Sequence, residues 1–133
     1  LFKTGKGKYV APAPIEDKLA THPAIEACCV TGANLGQPLG LVMLNPEAAA
    51  KAGDGAGRSA LEASLSEHLK RVNAQLDPHE QMDCVVITAE AWTVENDILT
   101  PTMKVKRNKI EDVFAANYER WVGQRKKVIW SDG

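Results

Sequence analysis

Cysteine is scarce in this sequence and cannot be arranged into pairs. Three occur, Cys28, Cys29 and Cys84, and two of them are adjacent. Neighbours on a strand point to opposite faces, so Cys28 and Cys29 do not staple each other. There is no C-x-x-C spacing, and His22, His68 and His79 fall in no ligand pattern, which leaves nothing for a metal site. Buried, reduced thiols in a cytosolic protein are the expectation. Long apolar runs are also missing: none approaches the roughly 20 residues of a membrane span, and no signal peptide is visible. Nor is there an excess of either charge. Sixteen basic residues face seventeen acidic ones, for a net charge of −1, whereas a dedicated nucleic-acid binder depends on surplus Lys and Arg. No Ser-His-Asp set, pair of catalytic carboxylates or metal cluster stands out. The glycine-rich stretch "KAGDGAGRS" lacks the G-x-x-x-x-G-K-[ST] phosphate loop and reads as a surface loop. The chain has no initiator Met, which points to a piece of something longer.

What remains is 133 residues, 44% apolar and 25% charged, enough for one domain that buries about two-thirds of its unfolded surface without disulfide or metal. "LFKTGKGKYV" predicts a hairpin, with Leu1-Phe2 leading in, Thr4 to Gly7 turning and Tyr9-Val10 returning. Pro12 and Pro14 set up a short helix from Ile15 to Ala20, with Glu16 and Asp17 in its first turn. "AIEACCVTGA" and "LGLVMLNP" are near-continuously apolar and predict central strands. Ser59 with Glu62 makes a capping box for a long helix whose stripe is Leu61, Leu65, Leu69, Val72 and Leu76. "MDCVVITA" predicts a third strand, and "WTVEND" a hairpin or loop. Asn108, with Glu111, caps a final helix that buries Ile110, Val113, Phe114, Tyr118 and Trp121. Arg125 to Lys127 read as a solvated tail. The long helix between the second and third strands implies a right-handed crossover. The expected fold class is α+β: a small mixed sheet of about three central strands plus the N-terminal hairpin, covered by helices.

Two stretches carry the functional signal. "KTGKGKYVAPAPIE" is a glycine turn followed by Val10, Pro12, Ile15 and Glu16. "LTPTMKVKRNKIE" is a Thr-Pro-Thr turn followed by Lys104, Lys106, Arg107 and Lys109, four basic residues within six positions. In this order, about ninety residues apart, they resemble the two motifs of the C-terminal domain of adenylate-forming enzymes: acyl-CoA synthetases, peptide-synthetase adenylation domains and luciferases. The front stretch looks like that domain's Val-x-Pro-x-x-Ile-Glu. The back stretch looks like its Pro-Lys-Thr-x-x-Gly-Lys-Ile-x-Arg, with Lys104 on the lysine, Val105 on the aliphatic and Arg107 on the arginine. Met103 stands where many members have glycine, a departure that is more like the long-chain fatty acyl-CoA ligases.

The resemblance covers nearly the whole chain and implies that residues 1–133 form a single lid domain whose large N-terminal partner domain is absent. It implies a two-step reaction, in which a carboxylate attacks ATP to give acyl-adenylate and pyrophosphate, and coenzyme A then displaces AMP. The lid would swing between two poses. Lys104 would be the catalytic lysine of the first. Gly7, Lys8 and Tyr9 would line the channel for the pantetheine arm in the second. Lys106 and Arg107 would be supporting structural or interdomain contacts. ATP and Mg²⁺ would be bound mainly by the N-terminal domain, with fatty acid and CoA as the other small-molecule substrates and no nucleic acid. The implied location is cytoplasmic, or peripheral to a membrane for the whole enzyme. Two other readings stand beside this one: an acyl-adenylate ligase that loads a carrier protein, and a stand-alone module using the basic run against nucleic acid or anionic lipid.

Overall fold

A computed structural model of the chain describes residues 1–132. The predicted hairpin forms, with β1 (Phe2–Lys3) antiparallel to β2 (Tyr9–Val10). Helix α1 runs Pro12–Leu19, three residues earlier than the sequence suggests. Both prolines fit because the amides of a first helical turn have no intrahelical acceptor to lose. Glu16 therefore lies beyond the first turn and does not serve the helix dipole.

Strands β3 (Ile25–Thr31) and β4 (Leu39–Leu44) pair antiparallel; β5 (Val85–Ile87) and β6 (Val128–Trp130) extend the sheet in parallel, in the order β3-β4-β5-β6. Two corrections follow. The strand β3 lies on an edge, not in the centre. Its apolar run reflects cover on both faces, since Cys29 and Val30 are each buried on opposite sides, and faces say nothing about lateral neighbours. The strand β6 is a fourth strand that the sequence reading does not anticipate; it follows directly on Arg125–Lys127, which are exposed as expected of a solvated segment.

The glycine-rich stretch is mostly helix rather than loop. A short helix α2 (Pro46–Lys51) is capped by Asn45, whose Oδ1 accepts from the Ala48 amide at 2.9 Å. Then α3 runs Gly55–Asn73 from an Asp54 cap, its Oδ1 accepting from Gly57 N at 2.7 Å. Ser59 is thus inside the helix and the predicted capping box does not form. Glu62 instead accepts from Trp130 Nε1 at 2.6 Å, while the Arg58 guanidinium stacks 3.8 Å from the Trp130 ring centroid. Of the predicted stripe, Leu65, Leu69 and Val72 are buried, and Leu61 and Leu76 half-buried.

The last helical region is divided: α4 (Arg107–Phe114), a 3-10 turn at Ala115–Asn117, then α5 (Tyr118–Gly123). The cap of α4 is Lys106, not Asn108. Glu111 bonds elsewhere, accepting from Thr31 Oγ1 and, at 3.2 Å, from Tyr118 OH. Ile110, Tyr118 and Trp121 are buried, but Val113 faces outward and is 44% exposed.

Strand alternation sorts the core into two layers. Val30, Val42, Val85 and Ile87 pack with Ile15 and Leu19 of α1 and Leu65, Leu69 and Val72 of α3. Cys29, Leu41, Val86 and Ile129 pack on the other face with Trp92, Ile98, Ile110, Tyr118 and Trp121. Each such side chain taken from water contributes about 1.5–3 kcal/mol against the ordering entropy of the chain. The β4-to-β5 connection crosses one face and the β5-to-β6 connection crosses the other, while both step the same way along the sheet. The two parallel crossovers are therefore of opposite hand, so the right-handed default holds for one of them only.

Candidate functional site

The front hairpin is closed by Thr4, which is buried. Its amide donates to Lys8 O (2.8 Å), its carbonyl accepts from Gly7 N (3.0 Å), and its Oγ1 accepts from Lys8 N (3.3 Å). Gly7 sits at φ +82°, a conformation glycine adopts without a Cβ clash. Gly5 meets a different requirement. Its amide donates to Leu35 O at 2.7 Å, and an added Cβ would stand 2.7 Å from Asn34 O. The hairpin is thus docked backbone-to-backbone on the β3–β4 loop, reinforced by Asn34 N to Lys3 O (3.1 Å) and Lys6 Nζ to Gln37 Oε1 (3.2 Å). Lys8 and Tyr9 are left exposed, with Lys3 Nζ 5.9 Å from the Tyr9 ring centroid.

The back stretch is also a hairpin. Leu99 bridges Val105, and Lys106 N donates to Ile98 O at 2.7 Å. At the tip, Thr100 N donates to Lys104 O (2.8 Å), Met103 N to Thr100 O (2.8 Å), and Lys104 N to Thr100 Oγ1 (3.1 Å). Met103 is at φ +66° and 65% exposed. A left-handed residue is what this turn geometry demands, which accounts for a motif that usually has glycine at this place. Lys104 is exposed, and its side chain has no partner among the described residues.

The basic run divides by partner. Lys106 Nζ pairs with Asp97, and that hydrogen bond, aided by its charge, holds the Asp97 carboxyl below its ordinary range. Arg107 turns inward: Nη1 and Nη2 donate to Glu16 at 2.9 and 3.2 Å, and Nη1 also reaches Val30 O (2.7 Å) and Cys29 Sγ (3.2 Å). Glu16 Oε2 in turn accepts from Val30 N at 2.8 Å. Burial opposes the guanidinium charge, but Glu16, Cys29 and Glu111 together outweigh it, the Glu16 hydrogen bond foremost, and Arg107 titrates above its ordinary value. Sequence reading took Glu16 for a helix-start charge. The structure makes it the link between the two motifs, 91 residues apart.

The profile of the AMP-binding enzyme C-terminal domain matches residues 3–123. The chain belongs to that family. It is 33% identical over 131 residues to a long-chain-fatty-acid–CoA ligase of Mycobacterium tuberculosis, an alignment that takes in 90% of the chain and 22% of the relative. It is 28% identical over 127 residues to the carboxylic acid reductase of Segniliparus rugosus, covering 93% of the chain and 10% of the relative. The solved adenylation–carrier didomain of that reductase, in complex with AMP, superposes with a TM-score of 0.74 at 28% identity, over 92% of this chain and 17% of the other. The chain thus spans about a fifth or less of the length of these relatives.

Within this AMP-binding C-terminal domain, both motifs are exposed hairpins with separate anchorage, the front on the β3–β4 loop and the back at the start of α4. The cysteines take no visible part: burial foremost pushes each of the three thiols up to about 12, so they remain unreactive thiols at neutral pH. Among the described residues no group of His, Cys, Asp and Glu is placed to hold a metal ion, and no helix is long and apolar enough to cross a membrane. What sequence reading missed are the two threonines, Thr4 and Thr100, that close the hairpins. The signal was present as Thr-x-x-x-Lys in each motif.

Proposed function

We propose that the chain is the lid domain of a fatty acyl-CoA ligase, acting with a larger domain that holds ATP, Mg²⁺ and the fatty acid. In the first half-reaction a carboxylate oxygen attacks the α-phosphorus of ATP and pyrophosphate leaves. Negative charge converges on a phosphate that is already anionic. A protonated lysine between the carboxylate and the α-phosphate oxygens stabilises that transition state without itself gaining or losing a proton. Lys104 takes this role. The observation that carries the proposal is its presentation, an exposed ammonium with no side-chain partner among the described residues, at the tip of a hydrogen-bonded hairpin. Sequence identity to long-chain ligases supports the fatty-acid branch.

In the second half-reaction the front hairpin replaces it, and Gly7 gives the thin pantetheine arm close backbone passage. In the complete enzyme, Lys104→Ala should lower pyrophosphate release by roughly a hundredfold or more while thioester formation from supplied acyl-adenylate stays nearly unchanged. Equal loss of both half-reactions would refute the assignment. A second reading, transfer of the acyl group to a carrier-bound phosphopantetheine, is favoured by the likeness to the reductase's adenylation–carrier didomain. Comparing free CoA with a carrier protein as acceptor separates the two.

A further inference from the structure

The chain carries three cysteines and three methionines, and the fold shields all but one of their sulfurs. Cys29 and Cys84 are buried and Cys28 is half-buried. Burial foremost keeps each thiol protonated, its pKa pushed up to about 12, whereas oxidants take the thiolate. Met82 is 2% exposed. Met43 is half-buried, and its sulfur already accepts from Trp92 N at 2.8 Å. Met103 is 65% exposed, and no donor among the described residues reaches its sulfur.

The turn keeps Met103 in water. Its amide donates to Thr100 O, while Thr100 N and Oγ1 hold Lys104 O and N. The tip therefore has one shape, with Met103 left-handed at +66° as Gly7 is at +82° in the front hairpin. One peptide bond separates Met103 from Lys104, so a movement that carries the lysine to a phosphate carries the methionine with it.

From this we infer that Met103 is an oxidation site through which hydrogen peroxide slows the first half-reaction and spares the second. The inference rests on the reading under Proposed function and deepens it, because it adds a control to the hairpin that bears Lys104. A lone pair of the thioether sulfur attacks one peroxide oxygen, and the O–O bond breaks. That oxygen stays on sulfur, and its proton goes to the departing hydroxide to make water. The sulfur loses two electrons and the peroxide gains them. The thioether is apolar and enters a dry site readily. The sulfoxide is polar, and taking such a group out of water without a partner is costly. The penalty falls on the pose in which the back hairpin is inserted. Once the front hairpin replaces it, the sulfoxide is again in water.

The test compares the complete enzyme as parent, Met103→Leu, Met103→Gln and Lys104→Ala, before and after hydrogen peroxide. Each activity after treatment is taken relative to the same variant untreated. Neither residue placed at 103 is β-branched, so both meet the left-handed backbone on much the same terms as methionine. Peptide mass mapping of the treated parent should find an added oxygen at Met103 ahead of Met43, Met82 and the cysteines. Pyrophosphate release should fall roughly tenfold, the scale of burying one unpartnered polar group, while thioester formation from supplied acyl-adenylate is unmoved. Methionine sulfoxide reductase should restore the release, and Met103→Leu should keep its own through the treatment. Met103→Gln, with a polar group at the same place, should release pyrophosphate more slowly than the parent with no peroxide at all. Oxygen arriving first at Met43 or a cysteine would overturn the inference. A loss as large in Met103→Leu as in the parent, or one that falls equally on both half-reactions, would do the same. If Met103 is oxidised and release stays within about twofold while Lys104→Ala cripples it, the inference alone fails. If Lys104→Ala leaves pyrophosphate release intact, the underlying reading fails instead.

Discussion

Replacing Met103 by glycine and, separately, by alanine gives a test whose sign is set by one dihedral angle. Met103 lies at φ +66° with most of its side chain in water. An L-residue in the left-handed region costs about 1–2 kcal/mol. Glycine avoids that cost but gives up about 0.5–1 kcal/mol through its freer unfolded state. Alanine and glycine both lack the methionine side chain, so comparing them isolates the backbone. Glycine should be the more stable by about 0.5–1 kcal/mol, whereas at a position with ordinary φ alanine leads by about 0.4–1 kcal/mol. For a domain of this size the difference corresponds to roughly 2–5 °C in Tm. Thermal and urea unfolding of the two variants of the 133-residue chain would measure it. Alanine equal to or better than glycine would refute the left-handed turn, and with it the likeness between the two hairpins.

Two further outcomes follow from packing and from protonation. Gly5→Ala should lift the front hairpin from the β3–β4 loop, because its Cβ would meet a backbone oxygen at 2.7 Å. The expected loss is about 1–3 kcal/mol, with faster hydrogen exchange at the residue 5 amide; exchange as slow as in the parent would show that the hairpin is not docked there. His22 gives the pH dependence. Its Nδ1 accepts from Ala24 N at 3.0 Å, so Nε2 carries the proton and donates to Ser64 Oγ at 2.8 Å. Burial, then the neighbouring His68 and Arg71 of α3, hold its pKa below the ordinary 6.5. Below that value the unfolded chain takes up a proton that the folded chain resists, so stability is full above 6.5 and falls as pH drops. Urea midpoints at about pH 7.5 and about pH 5.5 should differ less in His22→Asn than in the parent; an unchanged slope would acquit His22.

What the sequence made legible was local and periodic. The Leu65, Leu69 and Val72 spacing located α3, and the unbroken apolar run in "MDCVVITA" located β5, because each pattern lies within one element. The start of α3 was not legible, since Gly53, Gly55 and Gly57 read as loop formers until Asp54 is seen to cap the first turn. Strand β6 is three residues behind three exposed basic ones, and only pairing with β5, more than forty positions earlier, makes it a strand. The edge position of β3 was hidden for the same reason: a run of apolar residues reports which faces are covered, while lateral neighbours come from topology. Both motifs could be read because order and spacing survive in one dimension. Their partners could not.

The basic run shows why that limit matters. An edge strand presents amides and carbonyls with no neighbouring strand to bond, and at Val30 both are satisfied, the amide by Glu16 and the carbonyl by Arg107. The pair that does this must offer an acceptor and a donor at once, and its members must also hold each other. A guanidinium forks in a plane and can serve a carboxylate and a carbonyl together; an ammonium is a point charge with no such fork. Arg107 is therefore committed to β3 and α1, as Lys106 is to Asp97. These commitments fix the base of the back hairpin and leave its tip lysine without a side-chain partner among the described residues. In sequence the charges look equivalent, and the structure separates them by what each already holds. On the function proposed above, a lysine that holds no side-chain partner among the described residues is the one available to a substrate brought by another domain.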